Sequence, residues 1–137
     1  MEVTLLYPMF LMVVLICIVA TIAVKARVSS VKNKQVSAKY FQLMEGSDIP
    51  DIITKTTRNF NNQFEIPVLF YVVATLYISF DLESFFAIAV AWSFVIFRFA
   101  HSYIHLTYNN IIHRMFTFWL SMLCVLILWV NLLIQKV

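Results

Sequence analysis

The sequence predicts an all-α integral membrane protein in which four transmembrane helices form one bundle and a single domain, residues 1–137. Three observations carry that prediction. Apolar residues make up 62% of the chain and charged ones only 12%, more oil than a water-soluble domain of this size needs. Long uncharged runs recur four times, and a spanning helix needs about 20 such residues. The polar residues that interrupt the pattern gather near the ends of those runs, where three of them converge on one membrane face.

Helix 1, about 3–28, contains the clean run VTLLYPMFLMVVLICIVATIAV, uncharged until Lys25. Its apolar stretch is longer than a signal-peptide core and residue 2 is acidic, so it is expected to stay attached. A loop of about 29–55 follows. Seven of the ten Lys and Arg residues, Lys25, Arg27, Lys32, Lys34, Lys39, Lys55 and Arg58, fall in or beside it, which predicts that it is cytoplasmic and that both termini are not. Helix 2, about 56–80, and helix 3, about 83–108, have uncharged cores of only about 15 and 14 residues, Ile66–Phe80 and Ser84–Phe97. At about 1.5 Å per residue these reach some 22 Å of a 30 Å hydrocarbon layer, so their polar ends must dip into the membrane. Pro67 is expected to kink helix 2 or to start its regular part, freeing a carbonyl near Gln63. Helix 4, about 112–135, is again long and apolar. Cys17 and Cys124 read as small hydrophobes, and a chain with one glycine has no GxxxG seam and no phosphate-cradling loop. Trp92, Trp119 and Trp129 read as packing and interface anchors.

The polar ends have a pattern of their own. In RNFNNQFEIP, Arg58, Asn62 and Glu65 are spaced i, i+4, i+7, which on one helix is a single stripe. Arg98, His101, His105 and Tyr108 form a second stripe at i, i+3, i+7, i+10, and Arg114 opens helix 4 beside it. Exposing ionised groups to lipid costs several kcal/mol, so these side chains should face the bundle interior or a wet cavity. Each alone fits snorkelling or interhelical glue as well as a site. Together, three arginines against one embedded carboxylate suggest an absent anion, one with its own amino group to suit Glu65. A metal held by His101, His105 and His113 is disfavoured by the flanking Arg98 and Arg114, and a proton path through Glu65 and the histidines is a further reading.

The stretches RNFNNQFEIP and FRFAHSYIHLTYNNIIHR resemble the MAPEG family, the membrane-associated proteins of eicosanoid and glutathione metabolism, and NQFEIPVLFY and IHLTYN look most like its bacterial branch. The resemblance implies a homotrimer that binds glutathione as co-substrate between adjacent protomers near the cytoplasmic face of, here, a bacterial inner membrane. It implies that Arg58, Asn62 and Glu65 hold the glutathione backbone, with the Glu65 carboxylate on its amino group. Arg98 and His101 match polar helix 3 positions of a prostaglandin-synthesising member, and Arg114 stands sixteen residues after Arg98, the spacing of that enzyme's catalytic arginine. Arg27 would add a cation, and His105 or Tyr108 a donor. His105 replaces a ligand-contacting tyrosine of the eukaryotic enzymes, Phe118 another, and Met115 a serine. The spacing of Glu65 and Pro67 is also shorter than theirs. The implied function is a glutathione transferase or peroxidase acting on a lipophilic substrate from the bilayer, with no metal and no nucleic acid. The alternatives are a non-catalytic lipid-binding module or a structural membrane protein of the same fold.

Overall fold

A computed structural model of the chain describes residues 5–46 and 48–137. Six helices follow one another: α1 (Leu6–Lys32), α2 (Tyr40–Leu43), α3 (Asp51–Asn62), α4 (Ile66–Ser79), α5 (Phe85–Leu106) and α6 (Ile111–Lys136). No strand occurs among the described residues. Three of these helices, α1, α5 and α6, are long and apolar enough to cross a membrane. Their outward faces carry large apolar side chains that would be intolerable in water, among them Phe10, Trp119 and Ile134, each more than half exposed.

Helix α1 continues four residues past the expected end at 28, because nothing in the run to Lys32 breaks a helix. It stops where Lys34 takes a left-handed φ of 55° and the Gln35 amide turns back to the Ser30 carbonyl at 3.0 Å. The expected start at residue 3 lies outside the described residues. The stretch read as loop is also shorter than expected at its other end. Pro50, extended at ψ 135°, launches α3 at Asp51, whose carboxylate complements the positive end of the helix.

The segment read as one helix over 56–80 is two. Pro67 has no N–H for the Gln63 carbonyl, and its ring would strike that carbonyl in a continuous helix, so α3 closes at Asn62 and α4 opens at Ile66. Between them Glu65 sits at φ −97°, ψ −101°, far from helical values. By contrast α5 and α6 fall within two residues of expectation, each started by a side chain. Ser84 Oγ accepts from the Ala87 amide at 3.2 Å, and Asn110 Oδ1 accepts from the His113 amide at 3.1 Å.

The core runs through all the long elements: Met12, Leu15 and Val19 of α1, Phe70, Val73 and Tyr77 of α4, Phe94 of α5 and Leu128 of α6. α5 and α6 form the most extensive pair; α1 packs on α3 and α5, and α4 on α6. Because lipid is as apolar as a leucine, burial in such a bundle gains little from water release, and close contact has to supply the stabilisation. The Phe70 and Phe94 rings, stacked at 4.3 Å between centroids, contribute about 0.5–1.5 kcal/mol of that kind. At the end of the bundle away from the polar stripes, the Leu5 amide donates to Glu83 Oε1 at 2.7 Å. The Tyr77 hydroxyl lies 2.7 Å from Asn131 Oδ1, and the Lys136 ammonium sits 4.3 Å above the Phe80 ring.

Candidate functional site

The helix break builds the first part of the site. The last carbonyls of α3 have no amide of their own helix to accept from, and the Asn62 carbonyl takes a hydrogen bond from Arg98 Nη2 at 2.8 Å. A guanidinium is well suited to this negative helix end. Arg98 is fully buried, and its Nε and Nη1 have no hydrogen-bond partner among the described residues.

One turn further along α5, His101 places Nδ1 3.1 Å from the Arg114 carbonyl and 3.4 Å from Thr117 Oγ1. The carbonyl can only accept, so Nδ1 donates, and a neutral ring then presents Nε2 as a bare lone pair. That Nε2 is buried and has no partner among the described residues, and neither has either ring nitrogen of buried His105, whose ring centroid lies 5.9 Å from that of His101.

Arg114 projects from the first turn of α6. Its Nη1 donates to Asn109 Oδ1 at 2.7 Å, and its buried Nε has no partner among the described residues. A cleft of about 390 Å³ opens beside it, lined by Asn62, His101, Ile111, Arg114, Met115, Phe118 and Trp119. None of these is acidic. One wall is polar and cationic and the other is apolar; Trp119, expected to be an interface anchor, is part of the latter.

The structure therefore brings Asn62, Arg98, His101, His105 and Arg114 together and leaves four expected residues apart. Arg58 and Glu65 are exposed. The expected single stripe of Arg58, Asn62 and Glu65 does not form, since the turn at 63–65 carries Glu65 off the α3 face. Tyr108 is exposed, with its hydroxyl 2.9 Å from His113 Nδ1. Arg27 is half-buried over the Phe41 ring at 5.6 Å, with Nη2 3.5 Å from Thr57 Oγ1, and it does not line the cleft.

Sequence reasoning missed a neighbouring polar group. Asn59, Gln63 and Ser102 are buried and bonded to one another: Gln63 Nε2 donates to Asn59 Oδ1 (3.1 Å) and Ser102 Oγ (3.0 Å), and Ser102 Oγ donates to Asn59 Oδ1 (3.1 Å). The signal was present, because Asn59 and Gln63 are i, i+4 on the α3 face next to Arg58 and Asn62.

Fold and site together define an α-helical membrane protein with a cationic cleft near one end of its bundle. The family model described as the MAPEG family matches residues 4–134, nearly the whole chain, and the protein belongs to that family. Neither a curated protein nor a solved structure matches the chain significantly. Membership places it among the membrane proteins of glutathione and eicosanoid metabolism.

Proposed function

We propose that this MAPEG protein is a glutathione-dependent membrane enzyme, of the bacterial branch, that holds the thiol as a thiolate for conjugation to a lipophilic electrophile or for reduction of a hydroperoxide. The observation that carries the reading is the surplus of unspent cationic donors: Arg114 Nε, at a cleft without an acidic lining residue, and Arg98 Nε and Nη1, buried next to the lining residue Asn62, lack partners among the described residues. Buried donors of this kind are costly unless a ligand answers them, and an anionic one does so best. Glutathione fits the set, with two carboxylates for the arginines and an ammonium for Glu65.

In this reading α3 and α4 together make the fourth span. Alone, the 14 residues of α4 cover about 21 Å, short of a hydrocarbon layer of about 30 Å. The basic segment 25–58 is cytoplasmic, both termini lie on the other side of the inner membrane, and three copies assemble with the exposed apolar face of α1 in the interface. Arg58, Glu65, Arg27 and Tyr108, apart from the cleft within one chain, then serve a cleft completed by a neighbouring copy.

Arg114 supplies the chemistry. A thiol of pKa about 8.5 is a few per cent ionised at neutral pH, and a two-unit drop requires about 2.7 kcal/mol of preferential stabilisation of the thiolate. A guanidinium that never deprotonates, next to an apolar wall that excludes water, provides a fixed field of that size. The thiol proton leaves to water. The sulfur lone pair then forms a bond to the electrophilic carbon as the leaving group departs with its electron pair. With a hydroperoxide, it attacks the distal oxygen to give an alcohol and a sulfenic acid, which a second thiol converts to disulfide and water.

Titrating the detergent-solubilised protein with glutathione, read by thermal shift, tests this. A stabilising shift that Glu65→Ala abolishes is expected, and no shift at millimolar thiol would sink the reading. Absorbance near 240 nm reports the thiolate, and Arg114→Ala should remove it. The apolar wall of Ile111, Met115, Phe118 and Trp119 equally favours a lipid-binding module without chemistry. Turnover of an activated aryl halide or a lipid hydroperoxide separates the two.

A further inference from the structure

We infer that Asn109 is a positioning residue for Arg114, and that its neutral carboxamide holds the guanidinium against the cleft while leaving its charge unspent. The inference rests on the role given to Arg114 above. Asn109 occupies the connection between α5 and α6 at φ 50°, in the left-handed region that asparagine and glycine tolerate and most residues do not. Its amide donates back to the Ile104 carbonyl at 2.8 Å, which closes the end of α5. From that pinned backbone its Oδ1 accepts from Arg114 Nη1 at 2.7 Å, a short charge-assisted bond.

The next links of the chain complete the grip. Asn110 caps α6 through the His113 amide, and the Arg114 amide bonds to the Asn110 carbonyl at 3.0 Å. His101 meets the Arg114 carbonyl from α5. Backbone and guanidinium of Arg114 are thus held from two sides, by groups that carry no negative charge. A carboxylate at position 109 would make the same hydrogen bond but would pair with the cation and weaken its pull on a thiolate.

This difference separates positioning from mere support. Asn109→Gly keeps the left-handed backbone and removes the acceptor; Asn109→Asp keeps the acceptor and adds charge. Each is compared with wild type for melting temperature, for glutathione affinity and for the 240 nm thiolate signal followed against pH. With Asn109→Gly, affinity is expected within about threefold of wild type and the thiolate fraction at neutral pH about threefold lower, the effect of a one-unit rise in the bound thiol's midpoint from about 6.5 to about 7.5. Asn109→Asp should restore the melting temperature and leave the thiolate fraction low. A thiolate signal undiminished in Asn109→Gly, or fully restored in Asn109→Asp, overturns the inference while Arg114 keeps its role. A wild-type protein that shows no thiolate at saturating glutathione overturns that role and this inference with it.

Discussion

Two sets of polar side chains meet at α5, one facing α3 and the other reaching across to α6, and they differ in how their hydrogen bonds are completed. Asn59, Gln63 and Ser102 satisfy one another across the helix pair, with only Gln63 Oε1 left over. Arg98, His101, His105 and Arg114, a turn or so away, leave six ring and guanidinium nitrogens without partners among the described residues. The first set is what two helices need to register against each other in an apolar medium, where an amide finds its best partner in another amide. The second set is expensive as structure alone. Depth does not separate the two, since of these seven residues only Arg114 is less than buried; the unfinished bonds do.

That contrast can be broken by experiment, and the largest effect belongs to the open set. Arg114→Ala should cut turnover about 10²–10³-fold, the usual loss for one preorganised donor, with little change in melting temperature; a loss below tenfold would remove Arg114 from the chemistry. Next comes the closed set. Asn59→Ala removes the acceptor shared by Gln63 and Ser102, which keep their bond to each other, and should cost about 1–3 kcal/mol in a denaturation experiment in mixed micelles, with glutathione affinity per folded molecule unchanged. Arg98→Met tests the border. It deletes a buried charge and also the cap on the Asn62 carbonyl, so stability should change less than in Asn59→Ala while glutathione affinity falls about tenfold, or 1.4 kcal/mol. Equal losses in both measurements would make Arg98 a structural residue. The smallest effect is the distant control: Glu83→Ala frees the Leu5 amide and should cost about 0.5–1.5 kcal/mol without altering thiol binding.

How much of this could be read from the sequence follows from range. The apolar runs of α1, α5 and α6 are local facts, and their limits fell close to expectation except where α1 runs on to Lys32 for want of a breaker. Pro67 signals a disturbance, but an i, i+4, i+7 stripe assumes one continuous helix, and Glu65 lies in the turn between α3 and α4 where that spacing no longer applies. Arg98, His101 and Arg114 were found because arginine and histidine are conspicuous in an apolar helix. Ser102 and Asn109 were not, because a lone hydroxyl or amide says little until its tertiary partner is known, and the i, i+4 spacing of Asn59 and Gln63, though visible, is overshadowed by the charged residues beside it. The Asn109 bond to Arg114 spans five residues, but it depends on a left-handed turn between two helices, which helical periodicity cannot express.

The contacts at the far end of the bundle carry a practical corollary for anyone labelling this protein. Leu5 is tethered to Glu83, and Lys136 rests on Phe80, so the beginning of α1 and the end of α6 flank the same short turn. Fluorophores or protease sites engineered near either chain end, or within 81–84, should therefore respond alike to an impermeant quencher or enzyme added to sealed vesicles. Those placed between 33 and 50 should give the opposite response in the same vesicles.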